Sequence, residues 1–218
     1  MKIIVIGDSH SQLFANNPHF KRGVWSNGLL ENKFDVRWMG PVTYWRLCRD
    51  QRRFIDFTKN LRYEPFPGME INTFAESGSE ILITLGEIDI RSNIMNHHSG
   101  DYIKTINMMS NGINEYISSY GENFRINICS ISPPIKESDC NSINSEFPFI
   151  GTDEQRMNAT IYFNNELKKI CDSTNSRYFD LYSIYEKNGM LDPVKSDNIV
   201  HCIKTIELED KIKNHFGI

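Results

Sequence analysis

The sequence predicts a three-layer α/β sandwich, a parallel sheet with helices on both faces, from three features. Five short segments rich in β-branched or aromatic residues have the length and composition of strands. Helix-length stretches lie between them, and a parallel neighbour needs a crossover long enough to hold a helix. At 218 residues the chain has room for one good-sized core, so 1–218 reads as a single domain.

The first strand, Lys2 to Ile6, runs straight into Gly7-Asp8-Ser9-His10. In an open parallel sheet the ligand crevice lies beyond the carboxyl ends of the strands, so Ser9 is the leading catalytic candidate. Asp8 and Ser9 also have the chemistry to cap a following helix. His10 is expected to face elsewhere, in a supporting or helix-start role. The remaining strands are Phe34 to Met39, Glu80 to Leu85, Arg125 to Ser130 and Arg177 to Leu181.

Apolar residues Ile103, Ile106, Met109, Ile113 and Ile117 recur at helical spacing over Tyr102 to Ser119. From Asp153 to Thr174, a capping box of Thr152 and Gln155 precedes Met157, Ile161, Leu167 and Ile170. A last amphipathic helix is expected over Ile203 to Phe216. Two stretches break the pattern. One, about Asp50 to Thr73, carries Pro65, Pro67 and Gly68; the other, Ile131 to Gly151, is a long connection that reads as a lid or binding loop or, equally, as peripheral decoration.

A net charge of −4 gives no general electrostatic reason to bind nucleic acid or an anionic membrane. Arg46, Arg49, Arg52 and Arg53 are a local exception, read as a solvated helix face or an anion contact. Five scattered cysteines without a CxxC pair argue against a disulfide framework or a zinc cluster, and fit a reducing, cytoplasmic compartment. The short apolar start leads directly into the Ser9 turn and does not read as a signal peptide. Cys202 reads as a buried thiol. His97 and His98 read as a solvated loop or as metal ligands, and Trp25, Trp38, Tyr44 and Trp45 as core or as a sugar-stacking wall.

The carboxyl ends of the five strands collect Asp8, Ser9 and His10; Gly40, Pro41, Val42 and Thr43; Gly86, Glu87, Ile88, Asp89 and Arg91; and Ser130 and Ser132. A later segment carries Asp192, Asp197 and His201. A serine, amides near glycine, a carboxylate and a late histidine are the parts of an acyl-transfer site. On Ile6-Gly7-Asp8-Ser9, Gly86-Glu87-Ile88-Asp89 and the Asp197 to His201 segment, the chain resembles the SGNH, or GDSL-like, hydrolase superfamily over its whole length. GDSHS, Gly-Pro-Val-Thr and GEID-x-R together are similar to a subgroup associated with bacterial or viral surface glycans.

The resemblance implies a flavodoxin-like five-stranded parallel sheet and a serine-dependent esterase or O-acyltransferase acting on an acylated small molecule or carbohydrate. No cofactor or metal is expected, and no nucleic-acid or membrane partner. Ser9 takes the place of the nucleophile, His201 of the base and Asp197 of its orienting carboxylate, with an oxyanion hole at the Ser9 and Gly40 amides. Two positions depart from the family pattern. Ile88 stands where an asparagine donor is usual, which leaves Arg91, held by Glu87 or Asp89, as a cationic substitute. Three before His201 stands Asn198, with Asp197 one residue too early, so either residue could orient the ring; Asp192 is a weaker choice. The competing readings are a metal-dependent phosphoesterase, built on Asp8 and His10, and a non-catalytic glycan-binding protein on a degenerate hydrolase fold.

Overall fold

The computed structural model describes residues 3–17, 25–41, 43–45, 75–142 and 145–218. Six strands form the main sheet: β1 (Ile3–Gly7), β2 (Trp25–Asn27), β3 (Phe34–Trp38), β4 (Glu80–Thr84), β5 (Arg125–Cys129) and β6 (Arg177–Phe179). Their spatial order is β2-β3-β1-β4-β5-β6. Every neighbouring pair from β3 to β6 is parallel. These are the five strands expected from composition, and their order is that of a flavodoxin-like sheet. β2 is an addition, three residues antiparallel to β3 at the edge, with Trp25 opposite Arg37 and Asn27 opposite Asp35. Its Trp-Ser-Asn sequence is too short to show a period.

The sheet grows from β1 first to β3 and then, on the other side, to β4. The two directions part at the carboxyl ends of β1 and β4, where Gly7 pairs with Thr84. That switch point is where an open α/β sheet presents its crevice.

Both faces of β1 are covered, and successive residues enter different cores. Ile4 and Ile6 join Ile81 and Ile83 in a cluster sealed by α1 (Tyr102–Tyr120) and α2 (Asp153–Thr174), which supply Ile106, Met109, Phe163 and Leu167. Ile3 and Val5 join Phe34, Val36 and Leu82 beneath α3 (Ile206–Phe216), which supplies Leu208 and Ile212. Three layers follow directly from this division.

The helix ends are chemically specified. Asp101 accepts from the Lys104 amide at the start of α1, and the Thr152–Gln155 capping box is closed by both of its bonds, 3.1 and 2.8 Å, at the start of α2. The α3 helix begins at Ile206 rather than at Ile203 because Thr205 caps it through the Leu208 amide. Ile203 and Lys204 are used elsewhere: the Ile203 amide donates to the Lys195 carbonyl at 3.0 Å, and Lys204 Nζ donates to the Ala15 carbonyl. No helix among the described residues is long and apolar enough to cross a membrane. The arginine run at 46–53 and the segment from 50 to 73 lie outside the described residues.

Close approach of β1 and β4 fixes the identity of Gly7. A Cβ there would stand 2.0 Å from the Thr84 carbonyl oxygen and 2.2 Å from its Oγ1. The first obstacle is backbone and cannot rotate away, so Gly7→Ala is expected to cost about 1–3 kcal/mol, the range of core overpacking. Urea unfolding of the variant checks this; an unchanged midpoint would show that the strands part freely.

Candidate active site

At Asp8 the chain turns from strand into a 3-10 helix, Ser9–Phe14. Asp8, extended at φ −73° and ψ −161°, caps that helix by accepting from the His10 amide at 2.9 Å. The capping role therefore falls to Asp8, which leaves the Ser9 hydroxyl available for other partners. Leu13 and Phe14 anchor the helix in the lower core, with the Phe14 ring 5.9 Å from both Phe34 and Phe179.

Ser9 Oγ lies 2.9 Å from His201 Nε2. His201 Nδ1 lies 2.7 Å from Asp197 Oδ2. With the Nδ1 proton donated to Asp197, Nε2 presents a lone pair to the serine hydroxyl. The other oxygen of Asp197 accepts from the amides of Ile199, at 2.8 Å, and His201, at 3.0 Å. Partial burial works to raise the Asp197 pKa, but the bonds from the His201 ring and the two amides outweigh it and hold the carboxyl down at about 2.

The extra residue between Asp197 and His201 is absorbed locally. Asn198 adopts φ +59°, the left-handed region that asparagine tolerates better than most residues. The Asp197 amide donates to the His201 carbonyl at 3.0 Å, and Ser196 and Cys202 form an antiparallel bridge behind. Asn198 itself donates its amide to Ser196 Oγ at 2.9 Å. It is thus the turn residue, and Asp197 is the ring's partner. Asp192 instead caps the turn Pro193–Lys195. Cys202 is buried, and burial pushes its thiol pKa up.

His10 points beneath the site. Its Nε2 is 3.2 Å from Ser132 Oγ and its Nδ1 is 3.3 Å from Asp8 Oδ1. Its ring centroid is 5.5 Å from that of His201. Burial works to lower the His10 pKa, but Asp8 and Glu87 together raise it above the ordinary value.

The wall opposite follows β4. Ile88 lines the cleft and offers no donor. Arg91 also lines it, and its Nε and Nη2 donate to the two Glu87 oxygens at 2.6 and 3.1 Å while Nη1 donates to the Phe147 carbonyl. Glu87 thereby braces Arg91 and does not line the cleft. Asp89, expected beside the substrate, is wholly buried and turned away. It accepts from the amides of Tyr44, at 2.6 Å, and Trp45, at 3.1 Å, and so holds the segment that follows Gly40. Burial raises its pKa to about 7 against the pull of those amides. Gly40, at φ +85°, lines the cleft with Ser9.

The cleft has a volume of about 590 Å³. Residues with no motif to mark them also line it: Gln12, and Ser142, Glu146 and Phe147 from the long connection. That connection is fastened at both ends. Asn164 bonds Ile131 through amide and carbonyl at 2.8 and 3.0 Å, and Arg156 donates to the Gly151 carbonyl at 2.6 Å. Of the aromatic residues, Trp38 lines the cleft, Tyr44 is core against Phe163, and Trp45 stacks on His97 at 3.6 Å. His98 is exposed. Among the described residues no group of three or more His, Cys, Asp or Glu is placed to hold a metal ion.

No protein-family model matches the sequence, and no curated protein matches it. Solved structures do match. A GDSL-like lipase from Bacteroides thetaiotaomicron is 12% identical, with 99% of this chain and 85% of that one covered at a TM-score of 0.55. An acetylxylan esterase from Geobacillus stearothermophilus is 13% identical, with 100% and 94% covered at a TM-score of 0.56. The fold is that of the SGNH hydrolases. A lipolytic protein of the G-D-S-L family from Desulfitobacterium hafniense shares it at 13% identity, with 93% and 90% covered and a TM-score of 0.50. Three matching structures of the Geobacillus esterase are catalytic mutants, in which a serine, an aspartate or a histidine is replaced by alanine. On the SGNH fold of this chain, a serine, an aspartate and a histidine are joined by hydrogen bonds.

The two shifted carboxyls have opposite linkage to stability. Asp197, lowered from 3.8 to about 2, contributes stability that is full above its unfolded value and is lost as pH falls through about 2. Asp89, raised from 3.8 to about 7, contributes stability that is full below its unfolded value and is lost as pH rises through about 7. Urea unfolding across pH should therefore show a flatter acid limb in Asp197→Asn and a flatter dependence between about pH 4 and 7 in Asp89→Asn. The reverse pairing would overturn both assignments.

Proposed function

We propose that the protein is a serine-dependent esterase or O-acyltransferase that works through an acyl-enzyme at Ser9. The observation that carries this reading is the unbroken sequence of hydrogen bonds from Asp197 through His201 to Ser9. His201 Nε2 takes the proton from Ser9 Oγ as that oxygen attacks the ester carbonyl, and Asp197 stabilises the imidazolium that forms. The resulting oxyanion is held by the amides of Ser9 and Gly40. As the tetrahedral intermediate collapses, the ester C–O bond breaks and His201 returns the proton to the leaving alkoxide. The acyl group remains on Ser9. Water, activated by the same imidazole, then releases the acid; a sugar hydroxyl in its place accepts the acyl group and makes the protein a transferase.

An acylated carbohydrate is the favoured substrate class. The glycan-associated sequence resemblance supports it, as does an acetylxylan esterase among the structural neighbours. So does the Trp38 side chain in the cleft wall, since indole faces stack well on sugar rings. Arg91, braced by Glu87 beside the cleft, has the charge to assist an anionic intermediate. The absence of a donor at Ile88 favours the second reading, a glycan-binding protein without catalysis.

Labelling separates the two readings. A fluorophosphonate probe is expected to label wild-type protein at Ser9 and to leave Ser9→Ala unlabelled. Hydrolysis of p-nitrophenyl acetate should fall by about a thousandfold or more in His201→Ala. Folded wild-type protein that neither reacts with the probe nor turns over the ester would overturn the enzymatic reading. Arg91→Ala retaining full activity would confine Arg91 to bracing the Phe147 segment.

A further inference from the structure

We infer that the side-chain amide of Gln12 donates the third hydrogen bond to the developing oxyanion, on the same helix face as Ser9. This deepens the serine-hydrolase reading and rests on it. The 3-10 helix Ser9–Phe14 has three residues per turn, so side chains at i and i+3 eclipse. His10, Ser11, Leu13 and Phe14 are its buried members, which leaves Ser9 and Gln12 as the two that face outward. Both line the cleft, and Gln12 is half-buried there. No partner among the described residues engages the Gln12 carboxamide.

The other side chains around the cleft fit the role less well. Ile88 has no donor. Each guanidinium nitrogen of Arg91 already donates once, to Glu87 or to the Phe147 carbonyl, which fixes the group as a charge beside the cleft. Ser142 belongs to the segment joined to the histidine loop, where the Asn141 amide donates to the Asn198 carbonyl at 2.8 Å. With no partner among the described residues, the neutral amide keeps both of its N–H groups for a ligand, and it rises from the same helix as the nucleophile. The donor and the attacking oxygen are thus held in register by one short element.

The test compares kcat and KM for p-nitrophenyl acetate in wild type and three variants. Gln12→Met keeps the length and removes the donor; it should lower kcat by roughly a hundredfold, the cost of one oxyanion donor, with KM little changed. Gln12→Asn, which keeps the amide, should recover part of the loss. Gln12→Glu should fall below Gln12→Met at pH 8 and, measured relative to wild type, climb as the pH is lowered and the carboxyl protonates. Should Gln12→Met melt early, the Gln12→Glu profile decides, because a merely structural side chain gives no recovery on the acid side. A wild-type kcat in Gln12→Met, or a change in KM alone, overturns the inference while leaving the serine mechanism standing. A wild type that shows neither turnover nor fluorophosphonate labelling overturns the serine mechanism, and this inference with it.

Discussion

The contact between Ser9 and His201 joins residues 192 positions apart, and the site exists only because the fold brings them together. A hydrogen bond of this kind contributes about 0.5–1.5 kcal/mol net, far too little to organise the chain. Alignment comes from the sheet and from the ties on the histidine segment. Tyr185 Oη donates to the Ile203 carbonyl at 2.7 Å, the Asn141 amide reaches the Asn198 carbonyl, and Lys204 reaches the Ala15 carbonyl just past the nucleophile's own helix. The serine side is anchored by Phe14 and by the fit of Gly7 against β4. The short distance between the two groups is therefore a consequence of packing on both sides.

The parallel strands were legible because buried strands of this kind are short and rich in apolar, β-branched residues, as in Ile3 to Ile6 of β1 and Ile81 to Ile83 of β4. The Thr152–Gln155 box fixed the start of α2 for an equally local reason. β2 was not legible, since three residues carry no alternation and its pairing with β3 is a tertiary fact. The start of α3 was misplaced because Ile203 and Lys204 continue the apolar and charged pattern of a helix, while their actual bonds lie with Lys195 and Ala15.

Site residues divided in the same way. Ser9 and His201 could be named from strand ends and chain order. The choice between Asp197 and Asn198 could not, because it turns on a left-handed backbone conformation that spacing alone does not specify. In Gly86-Glu87-Ile88-Asp89, closeness in sequence hid a separation of tasks. Glu87 meets Arg91 four residues on, across one face of the turn, while Asp89 faces the opposite way to the Tyr44 and Trp45 amides. The cleft residues of the long connection carry no local signature at all.

The loop from Ser196 to Cys202 closes upon itself through the Asp197 amide, the His201 carbonyl and the bridge behind them. Carboxylate and imidazole consequently belong to one closed unit. The ring's tilt against its carboxylate is thus set inside seven residues, by bonds that the nucleophile takes no part in. Substitutions around the serine can therefore alter the reach to the imidazole while leaving the proton acceptor aimed as before.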